Sequence, residues 1–268
     1  MLRRLAMRFL IMTDIEGVTG VTTFPQAEKS EFGREMLMND LCAVLEGIKD
    51  AGAEAVVYDM HTDGRNVDIT KIGCPAVLGK PILPELWRGV GYTVDGLYMV
   101  GLHTMQHVEG ACLAHSYLRE YDRIYINGIL MGEIGVEAAL AGEGGIPLVF
   151  VSADDLGCRE AEELIPGVTV AAVKKSLSMS SAVCLPPEAS AKMLREKARE
   201  AALKTPPPYK LSAPYEIRIE YSDCFYLNKM KRIHPEIFEN ENTVVMRGDN
   251  LLKVWSEYLT YEKEMTAE

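Results

Sequence analysis

The sequence has no C-x-x-C pair. Its six cysteines, Cys42, Cys74, Cys112, Cys158, Cys184 and Cys224, are scattered along 268 residues. That spacing suits neither a thiolate zinc site nor a disulfide framework, so free thiols in a reducing compartment are expected. Positive charge is also short: 28 Lys and Arg face 39 Asp and Glu, a net charge of -11. Such a balance argues against nucleic acid or an anionic membrane surface as the main partner. No apolar run has the length of a membrane span. The basic start, Met1-Leu2-Arg3-Arg4, is followed by an apolar run too short for a secretory signal, and Asp14 interrupts it. A cytoplasmic protein is expected. The patterns G-x-x-x-x-G-K-S/T, G-x-S-x-G and H-E-x-x-H are missing, as are internal repeats and low-complexity tracts. Gly142-Glu143-Gly144-Gly145 follows a helical pattern instead of preceding one, so it reads as a loop and not as a phosphate cradle.

What is present is an ordinary globular composition, 48% hydrophobic and 25% charged, enough for one large domain or two modest ones. Residues 8–12 read as a short buried strand, and residues 19–30, polar with Gly and Pro, as a loop over its end. Leu37, Leu41, Val44, Leu45 and Ile48 make the stripe of an amphipathic helix over 31–51, with Gly52 as its stop. Residues 53–58 read as a second strand, and strand, helix, strand at these lengths implies a parallel sheet. Further strands are expected at 75–78, 96–100, 123–126, 147–151 and 168–173, with helices at 83–90, 134–141, 159–164 and 187–203. Asn127-Gly128 reads as a tight turn. Thr205-Pro206-Pro207-Pro208 is the clearest break, a stiff linker. Beyond it stand a strand at 215–221, a short helix, and a last helix at 249–263 with Asp249 as N-cap. The expected fold is α/β: a largely parallel sheet flanked by helices in three layers over residues 1–204, with a smaller α+β subdomain over 205–268.

Three of these strands end on potential ligands: Asp14 and Glu16, His61, and His103. In extended chain Asp14 and Glu16 point the same way, and two carboxylates held together repel unless a cation lies between them. Ligands of open parallel sheets bind beyond the carboxyl ends of the strands. Glu133 follows a strand and turn closely enough to reach the same edge. Asp, Glu and His without Cys suit zinc or manganese in a catalytic site. Each residue also has an ordinary reading: a solvated turn for Asp14 and Glu16, a loop histidine for His61, a core histidine for His103, a helix-dipole partner for Glu133. Asp59 fits either an Asx-turn or an orienting partner of His61. His107 carries no motif.

Asp14-Ile15-Glu16-Gly17, Asp59-Met60-His61, Gly101-Leu102-His103, His115-Ser116 and Gly132-Glu133-Ile134-Gly135 stand in one order. As an ordered set they resemble the D-aminopeptidase family, peptidase M55. The resemblance continues through residues 161–166 and 172–175 and is less distinct near the C-terminus. It implies a co-catalytic site for two zinc ions per chain, with manganese or cobalt as alternatives. Asp14 would bridge the ions, Glu16 and His103 would serve one, and His61 and Glu133 the other. His115 would be the catalytic histidine, close to the metals without binding them. The implied activity is hydrolysis of short peptides or aminoacyl amides with D-residues at the N-terminus, inside a homo-decameric ring. Leu102, Thr104 and Glu137 depart from the family pattern, which places the doubt on substrate preference more than on metal binding. Other binuclear hydrolases, amidohydrolase or phosphoesterase, and a non-catalytic peptide binder remain open alternatives.

Overall fold

The computed structural model describes residues 6–82, 86–222 and 225–266. The basic start up to residue 5, the first residues of the helix expected over 83–90, and the Cys224 thiol lie outside the described residues. The chain opens with β1 (Arg8–Thr13), α1 (Phe24–Lys29), α2 (Glu31–Asp50), β2 (Glu54–Asp59), β3 (Ala76–Val77) and β4 (Gly96–Val100). It continues with β5 (Tyr121–Ile126), β6 (Ile129–Met131), α3 (Glu133–Glu143), β7 (Leu148–Asp154) and α4 (Asp155–Leu164). Next come β8 (Thr169–Ser178), β9 (Ser181–Cys184), α5 (Pro187–Leu203), β10 (Tyr215–Tyr221), α6 (Phe225–Ile233), β11 (Thr243–Gly248) and α7 (Leu251–Thr266).

One sheet has the order β3-β2-β1-β4-β7-β8-β9. Its strands run parallel except β9, which returns antiparallel to β8. β4 is apolar throughout and β1 from Phe9 to Met12, because helices or a second layer cover both faces. On one face Phe9, Ile11, Tyr98 and Phe150 meet the expected stripe of α2, Leu37, Leu41, Val44 and Ile48, together with Leu194 and Ala198 of α5. A Cβ at Gly47 would lie 2.3 Å from the Arg195 carbonyl oxygen, so α2 and α5 approach this closely only with glycine there. On the other face Leu10, Met12, Leu97 and Met99 share a core with Ile134 and Leu140 of α3, Ile124 and Ile217 of a second sheet, and Trp255 of α7. The three-layer α/β fold with a largely parallel sheet is as expected.

The second sheet, β11-β10-β5-β6, is antiparallel. It takes β5 and β6 from before the proline linker and β10 and β11 from after it. A boundary at 204/205 therefore separates hydrogen-bonded neighbours, β5 and β10. Other differences have local causes. The stretch read as a loop over 19–30 contains α1: Pro25 sits in its first turn, and the Gln26 side chain accepts from the Thr23 N–H, so its polar composition is that of a capped helix start. α7 is capped by Asn250, whose Oδ1 accepts from Lys253 N–H at 2.8 Å, and not by Asp249. The Glu143 carboxylate accepts from Leu251 and Leu252 as well. Asn127-Gly128 is the expected turn, both residues at positive φ.

Candidate metal centre

The strand order reverses between β1 and β4, which start neighbouring crossovers in opposite directions. That is the switch point where a crevice opens beyond the strand ends. β1 hands over to Asp14, whose N–H donates to Val100 O at 2.8 Å, and Gly17 N–H donates to Gly101 O at 2.8 Å. A Cβ on Gly17 would lie 1.6 Å from Leu102 O, so only glycine lets this turn pass against the end of β4. Met60 N–H donates to Thr13 O and brings His61 to the same edge. His103 follows β4, and Glu133 is the first residue of α3. β5 and β6 belong to the second sheet, yet the turn after β6 still delivers Glu133 to this edge.

The five expected ligands come together, all buried. His61 Nδ1 lies 2.8 Å from Asp14 Oδ1 and 3.2 Å from Glu16 Oε2. His103 Nε2 lies 3.4 Å from Asp14 Oδ2 and 3.2 Å from Glu133 Oε1. Asp14 is thus the carboxylate common to both imidazoles. Glu16 Oε2, His61 Nε2 and His103 Nε2 are buried without a hydrogen-bond partner. Buried polar atoms are nearly always satisfied, and of these three Glu16 Oε2 and His103 Nε2 belong to residues grouped with the Asp14 carboxylate, whereas His61 meets that carboxylate through Nδ1. His103 Nδ1–H donates to Thr104 O at 3.0 Å, so Nε2 is the ring nitrogen that faces the two carboxylates and holds there either a proton or a cation. Asp14, Glu16 and His103 offer donor atoms within 4.8 Å of one another, and so do His103, His115 and Glu133. Nitrogen and oxygen donors grouped this way fit a divalent cation of the zinc type.

The electrostatics agree. Burial alone would depress His61, but the Asp14 and Glu16 carboxylates outweigh it and lift its pKa to about 10. His103 is pushed well above its usual range against the same burial, by Asp14 and Glu133. Burial would raise Asp14, yet His103 and His61 hold it well below the carboxylate range. Charge of both signs is locked into the cluster, and a proton competes there with a metal ion for the same lone pairs.

His115 stands apart. Its ring stacks on that of His103, centroids 4.0 Å apart, with Phe24 of α1 edge-on at 5.4 Å. Nδ1–H donates to Leu113 O at 2.9 Å, which leaves Nε2 as the acceptor. Burial, then the neighbouring His103, lowers its pKa. His107 lies at the surface against Asp122. No hydrogen bond joins Asp59 to the His61 ring, whose partners are Asp14 and Glu16. Its carboxylate takes the N–H groups of Asn66 and Val67, and the Asn66 amide donates to His61 O, so Asp59 shapes the loop that carries His61.

Several supports escaped the sequence reading. Lys174, buried in β8, donates to the carbonyls of Glu16, Val18 and Val21. A register shift opposite Asp154 turns Val173 and Lys174 inward together, against the alternation a strand shows in sequence. Asp154 accepts from the hydroxyls of Thr104 and Ser176. Glu137 binds Arg88 through two nitrogens. The cluster opens into a cavity of about 1030 Å³ whose wall includes Tyr58, Arg88, Tyr117 and Glu262.

A nitrogen- and oxygen-donor cluster opening into a substrate-sized cavity at a switch point is the arrangement of a hydrolytic metalloenzyme. The family model described as D-aminopeptidase, peptidase M55, matches residues 7–258. A D-aminopeptidase of Bacillus subtilis (strain 168) is 31% identical over 198 residues, covering 71% of this chain and 72% of that protein. A solved structure of the Zn-dependent D-aminopeptidase DppA from Bacillus subtilis, described as a self-compartmentalizing protease, superposes with a TM-score of 0.88 at 25% identity. That match covers 98% of this chain and 99% of the other. The chain belongs to the D-aminopeptidase family, peptidase M55, and is a hydrolase.

Proposed function

We propose that the protein is a zinc-dependent aminopeptidase that releases N-terminal D-residues from short peptides or aminoacyl amides. The observation that carries this reading is the buried carboxylate of Asp14, shared by His61 Nδ1 and His103 Nε2, with Glu16 and Glu133 beside the same imidazoles. Two zinc ions are the proposed occupants, with Asp14 bridging, Glu16 and His103 on one side and His61 and Glu133 on the other. Zinc held there supplies Lewis acidity, which polarises a scissile carbonyl and makes water acidic enough to attack near neutral pH.

The protein's own residues do the rest. His115 is the proposed general base: its Nδ1–H is held by Leu113 O, and its lowered pKa keeps Nε2 ready for a proton near neutral pH. It would take the proton of the attacking water and return it to the departing amine nitrogen. Asp154, through Thr104, and Lys174, through the Glu16 carbonyl, keep the ligand-bearing turns in place. A second reading, His115 as a ligand beside His103 and Glu133, is favoured by the closeness of their donor atoms and is separated by metal content.

A ring-shaped homo-decamer in the cytoplasm completes the proposal. Its support is the self-compartmentalizing description of the similar DppA structure, and no helix among the described residues is long and apolar enough to cross a membrane. The test is a screen of D- and L-aminoacyl amides and dipeptides with zinc-loaded protein, alongside light scattering. Release of D-residues by a large assembly is expected. Cleavage of L-substrates only, or of none, would overturn the activity, and a monomer or dimer would overturn the ring.

A further inference from the structure

Glu137 is fully buried one helical turn after Glu133. An isolated carboxylate in that position would be costly. Arg88 answers it: Nε and Nη2 both donate to the Glu137 carboxylate, and the Tyr117 hydroxyl adds a third hydrogen bond at 2.9 Å. Arg88 is held from every side. Its backbone is in the left-handed region, φ 51°, where a long side chain is disfavoured unless its surroundings impose it. The preceding Trp87 is fully buried and stacked on Tyr92 at 5.6 Å. The guanidinium carbon sits over the Tyr58 ring at 5.5 Å. This is a fixed guanidinium, only 11% exposed, on the wall of the cavity that holds the ligand cluster.

Two of its three nitrogens are spent on Glu137. Nη1 points away from that carboxylate and has no hydrogen bond among the described residues. The other arginines of the wall differ: Arg65 and Arg119 are more than half exposed and pair with Asp63 and Glu28 at the rim. Glu133 and Glu137 lie on one face of α3, about 6 Å apart along its axis. In a dipeptide the terminal carboxylate lies about 4–5 Å beyond the scissile carbonyl carbon. Tyr117 spans the same interval, its N–H on Glu133 and its hydroxyl on Glu137.

We infer that Arg88, oriented by Glu137, receives the free C-terminal carboxylate of a bound dipeptide through Nη1. The inference rests on the peptide-hydrolase reading and narrows it to substrates that end one residue past the scissile bond. The test uses zinc-loaded protein with D-alanyl-glycine and D-alanyl-glycinamide, measuring kcat/KM and, by calorimetry, affinity. The free acid should be preferred by about 10–100-fold, the range of a charge-assisted hydrogen bond to a fixed guanidinium. In the double variant Arg88→Met, Glu137→Gln, which leaves no buried charge unpaired, the acid-to-amide ratio should fall to about one. Arg88→Lys should keep part of the preference. The ratio is read within each preparation, so a loss of folded protein does not imitate it. Parity in the parent protein, or a preference that survives the double variant, would overturn the inference. A binding preference without cleavage of either compound would support the carboxylate site and overturn the hydrolytic reading.

Discussion

Two buried polar clusters adjoin at the carboxyl ends of the central strands, and they are satisfied to different degrees. In the supporting cluster every charge has its partners: Lys174 on three carbonyls, Asp154 on two hydroxyls, Asp40 on the N–H and hydroxyl of Thr19. In the ligand cluster, Glu16 Oε2 and His103 Nε2, of residues grouped with the Asp14 carboxylate, are buried without a hydrogen-bond partner. Satisfied groups of this kind hold a shape, whereas buried unsatisfied ones call for a partner that the protein's own side chains do not supply. The contrast separates scaffold from chemistry without reference to any relative.

The largest effect should come from the shared carboxylate. Asp14→Ala should abolish turnover and remove both ions, measured as zinc per chain beside the parent; loss of one ion only would make Asp14 a terminal ligand. His115→Ala should come next. It should keep both ions and the fold while kcat falls about 10²–10⁴-fold with little change in KM, as for a group that acts mainly in the transition state. Loss of zinc instead would assign it to the ligand set.

Breaking the satisfied cluster should act differently. Lys174→Met leaves the Glu16, Val18 and Val21 carbonyls without their donor and should cost about 2–4 kcal/mol of stability by chemical denaturation. Zinc affinity should weaken with it, because the Glu16 turn loosens. The smallest effect concerns Glu160 of α4. Burial pushes its pKa up to about 7, while its Oε2 accepts from Met105 N–H at 2.9 Å. An acid whose folded pKa is raised binds more protons folded than unfolded. Its contribution is therefore fullest below about 4.5 and is lost as pH climbs to about 7. Glu160→Gln should remove about 1–3 kcal/mol of the stability that the parent loses over that window, read as the difference between the two pH profiles.

How far the sequence announced this arrangement depends on the range of the interaction. Asp14, Glu16, His61 and His103 were readable because each closes a local strand pattern, and strand ends of a parallel sheet converge by topology. The α2 stripe and the Asn127-Gly128 turn were readable for the same local reason. The pairing of β5 with β10 spans the proline linker and leaves no periodic trace. Lys174 was hidden by a bulge that breaks alternation, and α1 by a short polar cap that imitates a loop. Asp59 pointed to His61 by proximity in sequence, but its carboxylate closes on Asn66 and Val67 instead. Arg88 and Glu137 are 49 residues apart, and only the fold shows that one neutralises the other.

The most direct test of the contrast is the metal content of the parent protein. After purification with zinc supplied and exhaustive dialysis, elemental analysis should give two ions per chain, and chelation should lower the melting temperature and remove activity together. One ion per chain would contradict the bridging role of Asp14. None, with activity and melting temperature intact after chelation, would contradict the claim that the buried carboxylates and imidazoles around Asp14 hold metal.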